Sequence, residues 1–291
     1  MPRPPVQIRT VSCKSSTASL EFTQSILESG FAVVSDHPIP FKLITDSFDE
    51  WARFFSSEEK HRYTFEAATQ AGYFPFRSEN AKDYSKKDLK EFFHFYSTRN
   101  ELPTATREFT PTLYKQLHDL SKTLLGWIQE NTPDHVRMHF SESLTSMIEG
   151  SEETLLRPIH YPPLTGAEEE GAVRAAAHED INLITLLPAA TAPGLQVKDL
   201  QGNWIDVPCD PGTIVVNSGD MLKMASRDYF PSTTHQVVNP PGAASRLPRY
   251  SMPLFLHPRG NVRLSEGHTA RSYLEERLSE IGLLKSKANL T

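Results

Sequence analysis

Cysteine is scarce. The 291-residue chain has only Cys13 and Cys209, far apart and without a CxxC pair, so there is no disulfide framework to read, and a reducing compartment is expected. No stretch approaches the roughly 18 to 20 consecutive apolar residues of a membrane span. The start, Met1-Pro2-Arg3-Pro4-Pro5, lacks the apolar run of a secretory signal. The expectation is a soluble cytoplasmic protein with no membrane partner. An excess of positive charge is also missing: 30 Lys plus Arg face 36 Asp plus Glu, a net charge of −6, and no Lys/Arg stripe offers itself to a phosphate backbone. Nucleic acid is therefore excluded as an expected partner. Lys86, Lys87 and Lys90, interleaved with Asp83, Asp88 and Glu91, read as a solvated polar face. There is no Gly-x-Ser-x-Gly elbow, and neither cysteine sits in a nucleophile motif. The glycines at 194, 202, 212 and 219 are scattered as turns rather than gathered into a phosphate cradle. His135 and His139 have the i, i+4 spacing of a helical zinc grip, but Val136 stands where the accompanying glutamate belongs, so they read as helix decoration.

With 38% hydrophobic and 10% aromatic residues, the chain can bury one large core. Its first half reads as helical. Ile44, Phe48, Trp51 and Phe55 form one apolar stripe, and Leu113, Leu117, Leu120, Leu124 and Ile128 a second. Val136, Phe140, Leu144 and Met147, ending at Gly150, predict a third helix. From about residue 154 the pattern becomes short β-branched or apolar runs punctuated by Pro and Gly, at 156–161, 172–178, 181–187, 204–207, 213–217, 234–238 and 247–256. The segment 165–171 reads as an exposed loop. Leu274, Leu278 and Ile281 before Gly282 predict a closing helix that covers the barrel or a partner. The expected fold is α+β within a single domain, 1–291. A helix-rich region, 1–153, packs on a double-stranded β-helix (jelly roll) core, 154–258, and a C-terminal helix follows in 259–291.

His178-Glu179-Asp180, then His235, then Arg249-Tyr250-Ser251 carry the chemistry. On a strand, residues i and i+2 share a face, so His178 and Asp180 project together while Glu179 points away. His235 lies 55 residues after Asp180, a separation that suits a later strand running beside the first. Two imidazoles and one carboxylate leave open positions on a metal, the arrangement of non-haem Fe(II) oxygenases. Arg249 and Ser251 repeat the same-face spacing with a guanidinium and a hydroxyl. Ferrous iron and Asp180 together carry +1, a dianionic keto acid takes the sum to −1, and Arg249 restores neutrality through a planar fork matched to a carboxylate.

These segments resemble the isopenicillin N synthase-like branch of the 2-oxoglutarate/Fe(II)-dependent oxygenases, from about residue 5 to 260. The likeness rests on Ala177–Leu187, Gly194-Leu195-Gln196-Val197, Gly219-Asp220-Met221, Ser232–Val238 and Arg249-Tyr250-Ser251, in the family's order. Upstream, Gly30–Pro40 and Asp88–Phe93 are similar to its N-terminal strand-and-turn and a further common segment. The resemblance implies iron on His178, Asp180 and His235, with the distal carboxylate of 2-oxoglutarate on Arg249 and Ser251. Tyr161, in Ile159-His160-Tyr161-Pro162, matches a tyrosine that reaches a carboxylate there. With O2, such an enzyme is a dioxygenase. It oxidises an unactivated C–H bond of a small molecule by hydroxylation, desaturation or cyclisation, and releases succinate and CO2. Monomeric or weakly homo-oligomeric behaviour is expected. Ile159 and Gln236 depart from many 2-oxoglutarate users. Two alternatives stay open on sequence: an isopenicillin N synthase-like oxidase whose Arg-Ser pair binds the substrate carboxylate, and a zinc-binding or non-catalytic jelly roll.

Overall fold

Residues 184–188 and 214–218 are apolar or β-branched along most of their length and buried, as strands covered on both faces must be. Around them the computed structural model, which describes residues 8–80, 84–199, 201–280 and 282–283, arranges three sheets. The N-terminal half contains β1 (Thr10–Ser12), α1 (Ala18–Ser29), β2 (Phe31–Ser35), α2 (Phe41–Ser56), β3 (Gly72–Phe74), β4 (Glu91–His94), α3 (Thr110–Glu130), α4 (Asp134–Arg137) and α5 (Leu144–Met147). The other half begins with β5 (Leu155–Leu156), β6 (Ile159–Tyr161), β7 (Ala175–His178), β8 (Ile184–Pro188), β9 (Leu195–Lys198), β10 (Trp204–Asp206) and β11 (Ile214–Ser218). It closes with α6 (Asp220–Ala225), β12 (His235–Val237), β13 (Arg249–Ser251), β14 (Leu254–Leu256) and α7 (Ala270–Glu280).

One six-stranded sheet runs β1-β2-β11-β8-β14-β5, and two four-stranded sheets run β10-β9-β12-β7 and β13-β6-β4-β3. Strand periodicity sorts side chains between two cores. Ala32, Val34, Ile214 and Val216 join the helical cluster of Phe22, Trp51, Leu117 and Leu124, while Phe31, Val33 and Val215 face a second cluster with Phe92, Tyr161, Val197 and Val237. The large sheet thus carries helices on one face and the smaller sheets on the other.

The N-terminal region does more than pack on this core, because β1 and β2 extend the large sheet and β3 and β4 complete a small one. Gly30 makes the turn from α1 into β2 possible. It has φ +74°, and a Cβ there would collide with the Thr233 hydroxyl. The stripes on α2 and α3 are buried as expected, and Glu50 ties the two helices together. Its carboxylate accepts from the Glu108, Phe109 and Thr110 amides at 2.8, 2.9 and 3.0 Å and from the Thr110 hydroxyl at 2.8 Å, capping α3 from a neighbouring helix.

The single third helix expected from Val136 to Met147 is instead two short ones, α4 and α5. Ser143 interrupts it by taking extended backbone and capping the Ser146 amide at 3.1 Å, so that a new turn starts. The runs at 156–161 and 247–256 are each split in two, with Pro158 and Pro253 standing in the gaps. The solvated face expected at 86–91 holds only for its start, where Lys87 is exposed. Asp88, Lys90 and Glu91 are buried, because Lys90 bridges Asp88 at 2.8 Å and Glu79 at 2.9 Å, while Glu91 is held by Lys60 and His160. Asp83 lies outside the described residues. The closing helix is present as α7, with Ile281 beyond its described end. Among the described residues no helix is long and apolar enough to cross a membrane.

Candidate metal centre and adjoining cavities

His178 ends β7 and His235 begins β12, and antiparallel pairing sets the two residues directly opposite each other. Asp180 lies two residues past the end of β7 rather than within it. It is drawn in by the bend that follows, against which Gly219 packs: a Cβ on Gly219 would stand 2.7 Å from the Asp180 carbonyl oxygen and 2.7 Å from Asn182 Oδ1. The Asp220 amide donates to that Asp180 carbonyl at 2.8 Å.

One ligand atom from each of His178, Asp180 and His235 lies within 4.8 Å of the others. Asp180 Oδ1 is 3.8 Å from His178 Nε2 and 3.7 Å from His235 Nε2. Each ring hydrogen-bonds through Nδ1 to the main-chain carbonyl two residues upstream, Ala176 at 2.8 Å and Thr233 at 3.1 Å. A carbonyl only accepts, so Nδ1 carries a hydrogen in both rings and Nε2 is the atom left facing the cluster. Asp180 Oδ2 accepts from the Thr185 hydroxyl at 2.6 Å and from Asn217 Nδ2 at 2.8 Å, leaving Oδ1 turned toward the imidazoles. Thr185 and Asn217 are cross-strand partners on β8 and β11. Nothing in their sequence positions pairs them with Asp180. Glu179, as expected, points elsewhere and accepts from the Thr234 hydroxyl at 3.0 Å.

Electrostatics suits a cation. Burial lowers the His178 pKa to about 4, reinforced by His235 and opposed by Asp180. Burial alone would raise Asp180, but His235, His178, Asn217 and Thr185 outweigh it and hold the carboxyl below its usual range. Two imidazoles and one carboxylate, with their metal-facing atoms converging and their far atoms already tied, fit a divalent ion that prefers N and O donors.

Two cavities meet at this cluster. The inner one, about 60 Å³, runs from His178, Asp180 and His235 to Arg249, Ser251 and Tyr161. Pairing of β13 with β6 sets Arg249 opposite Tyr161 and Ser251 opposite Ile159, while Tyr250, between them, stacks on His160 at 4.7 Å. The same-face placement of Arg249 and Ser251 is therefore observed. Arg249 is 1% exposed. Its Nε donates to the Ala192 carbonyl at 2.9 Å, its guanidinium lies 5.0 Å from the Tyr161 ring centre, and Nη1 is buried without a partner. Among the described residues no carboxylate pairs with it in an ion pair, and a buried guanidinium in that condition is a receptor for an anion. The outer cavity, about 180 Å³, shares His178, Asp180, Lys90, Arg157 and Phe255 with the inner one and is covered by Leu274 and Leu278 of α7. Asp88 also accepts from the Ala176 amide at 3.0 Å, so the Lys90 ion-pair cluster braces β7 just before His178. Of the aromatics near 73–96, Tyr73, Phe74, Phe92 and Phe93 are core, whereas Tyr96 reaches the outer cavity. His135 and His139 stand apart from the site.

A facial pair of histidines and a carboxylate inside a jelly roll, with an anion receptor at hand, defines the class of non-haem Fe(II) oxygenases. The chain belongs to the 2OG-Fe(II) oxygenase superfamily, whose profile matches residues 152–258. Residues 11–116 match the family described as non-haem dioxygenase in morphine synthesis N-terminal. It is 30% identical over 269 residues to the 2-oxoglutarate-Fe(II) type oxidoreductase hxnY of Emericella nidulans, covering 82% of this chain and 74% of that one. A candidate oxygenase from Shewanella oneidensis superposes with TM-score 0.86 at 47% identity, over 96% of this chain and 100% of that one. A full-length Neurospora crassa protein in complex with alpha-KG shares the fold at TM-score 0.77 and 23% identity, over 93% and 95% of the two chains. The protein is a 2-oxoglutarate/Fe(II)-dependent dioxygenase with Fe(II) as its metal and 2-oxoglutarate and O2 as co-substrates, and of the readings open on sequence this is the one its relatives carry.

Proposed function

We propose that His178 and His235 through Nε2, and Asp180 through Oδ1, hold the iron, and that Arg249 and Ser251, with Tyr161 beside them, hold the far carboxylate of 2-oxoglutarate in the inner cavity. A small-molecule substrate occupies the outer cavity, all within one oxygenase domain, 1–291. The observation that carries this reading is the convergence of three ligand atoms within 4.8 Å at the junction of two cavities, one of which ends in a buried guanidinium that has no ion-pair partner among the described residues. When bound, iron and O2 supply the oxidising power, with 2-oxoglutarate decarboxylated to succinate and CO2 as a substrate C–H bond is hydroxylated, desaturated or cyclised.

The chain's own residues do the positioning. Thr185 and Asn217 keep Asp180 ionised and aimed, main-chain carbonyls aim the imidazoles, and Arg249 brings the sum of iron, Asp180 and dianionic co-substrate to zero. Ile159, Leu187, Leu195 and Val237 wall the inner cavity with apolar surface that excludes water. Two free thiols and a net charge of −6 support a reducing, cytoplasmic setting without a nucleic-acid partner, and we assign a monomer or weak homo-oligomer. Substitution His178→Ala tests the reading: the variant is expected to lose stoichiometric iron in a chelator titration and to consume no O2. Full iron retention with full turnover would refute the metal assignment.

A further inference from the structure

Among the described residues, two acceptors and two donors on side chains lining the outer cavity have no partner. Gln70 Nε2 donates to the Ala67 carbonyl at 2.8 Å and the Leu283 carbonyl at 3.3 Å, which fixes the amide orientation and leaves Oε1 buried and unpaired. Gln70 also adopts φ +58°, a backbone conformation that a non-glycine residue holds only under constraint. His94 Nδ1 lies 3.0 Å from the Gln70 main-chain carbonyl, so Nδ1 carries the hydrogen and Nε2, buried and unpaired, is an acceptor. Burial keeps this imidazole neutral by lowering its pKa well below the usual value. One donor is Arg277, whose Nε is buried and unpaired, and the other is Arg157. Its guanidinium is clamped between the Phe92 and Phe255 rings, 5.1 Å from each centre, and its Nε is buried and unpaired. Gln70, His94 and Arg157 all line the cavity that also reaches His178 and Asp180.

Most of the charged groups in the same walls are engaged with one another, and Glu179 accepts from the Thr234 hydroxyl. Lys90 binds Glu79 and Asp88, Glu153 binds Arg99 and Arg271, and Arg277 binds Glu280. Arg157 has Glu79 at 3.9 Å, close enough to offset its charge but beyond hydrogen-bond reach. Most of the charge is thus balanced within the walls, whereas the hydrogen-bonding capacity of Gln70, His94 and Arg157 is unfilled. The space suffices for one ring: a cavity of about 180 Å³ compares with the roughly 150 Å³ that accommodates benzene.

We propose that the outer cavity selects a compact, uncharged molecule of about one ring that carries an amide-type group, as in a lactam, imide or cyclic urea, its N–H groups donating to Gln70 and His94 and its carbonyl accepting from Arg157. This rests on the reading of the cavity as the substrate site of the dioxygenase. Tyr96, Leu155, Phe255 and Leu274 supply the apolar faces against which such a ring packs.

The test uses the full chain, metal-free and also loaded anaerobically with Fe(II) and 2-oxoglutarate. Five- and six-membered lactams, imides and cyclic ureas are titrated by calorimetry, each beside its fully N-methylated analogue and a ring carboxylate of equal size. The N–H compounds are expected to bind at least about tenfold more tightly than their methylated partners, because a methyl leaves a buried acceptor unpaired. They should also perturb the visible charge-transfer band of the loaded protein. His94→Phe, which keeps an aromatic ring beside Phe74 and Phe92, is expected to erase the preference. Equal binding of N–H and N-methyl compounds, tighter binding of the carboxylates, or no binding across the series would overturn the proposal; the wild-type comparison decides this even if the variant does not fold. Loss of the charge-transfer band with the N–H preference intact would instead overturn the Fe(II)/2-oxoglutarate reading and leave the recognition standing.

Discussion

Replacing Arg249 by methionine separates a functional cation from a structural one. The Arg249 side chain is buried, donates from Nε to the Ala192 carbonyl beside Tyr161, and has no carboxylate partner among the described residues. In the co-substrate complex its removal strands a buried carboxylate, a loss of about 3–5 kcal/mol, which at about 1.4 kcal/mol per decade weakens 2-oxoglutarate by roughly 150- to 5,000-fold. In the empty protein the balance is different. A buried unpaired charge is exchanged for an apolar chain of similar length and one carbonyl loses its donor, so the two effects offset to within about 1 kcal/mol. Anaerobic calorimetry of 2-oxoglutarate into Fe(II)-loaded protein, beside a thermal melt of the metal-free form, reads both quantities. The expected pair is affinity reduced by more than a hundredfold and a melting temperature changed by no more than a few degrees. A variant that melts far lower yet binds 2-oxoglutarate within about threefold of the parent would refute the anchor and make Arg249 a structural residue.

Thr185→Val removes the 2.6 Å donor to Asp180 and is expected to weaken iron about 10- to 100-fold in a chelator competition, with Thr185→Ser restoring it. Glu50→Ala strips four hydrogen bonds from the start of α3 and should cost about 3–5 kcal/mol, read as a melting temperature lowered by roughly 6 °C or more with turnover per folded molecule unchanged. Acid stability should fall in two steps. Burial pushes His257 down to about 4, so below its unfolded value near 6.5 the unfolded chain binds more protons than the folded one. That contribution is whole above about pH 6.5 and is lost as the pH falls toward 4. Burial alone would raise Glu79, but Lys90 and Arg157 hold it at about 2, so its contribution is lost later, between about pH 4.5 and 2. Urea midpoints of the metal-free protein from pH 8 to 3 measure both steps, and His257→Gln should flatten the first in part, since His178 and His94 are also held low by burial; a midpoint that rises between pH 7 and 5 would contradict the assignment.

The site was legible where spacing alone carries geometry. Arg249 and Ser251 fall on one face because they are two apart on a strand, and His235 reaches His178 because a later strand pairs with β7. Asp180 arrives by a different route from the one its spacing suggested: β7 has ended, and the following bend, held close by Gly219, turns the carboxylate inward. Thr185 and Asn217 were invisible because their relation to Asp180 exists only once β8 and β11 are in register. The charges from Asp88 to Glu91 misled because alternating charge reads as surface, whereas tertiary closure around Lys90 buries its partners with it. Ser143 hid a helix break inside a pattern of apolar residues that kept helical spacing across two separate turns. The strands β3 and β4 sit in a region whose longest periodic signals are helical, and short buried strands lack a period strong enough to compete.

The two kinds of support beneath the metal-facing side chains differ in heritability. The imidazoles are oriented by peptide carbonyls at Ala176 and Thr233, groups that every residue possesses, so drift in the surrounding sequence leaves their tautomers untouched. The carboxylate is steered by a hydroxyl and an amide, which single codon changes can delete or exchange. Variation among descendants that retain this scaffold should therefore collect on the Asp180 side, where metal affinity can be graded without disturbing the histidine pair.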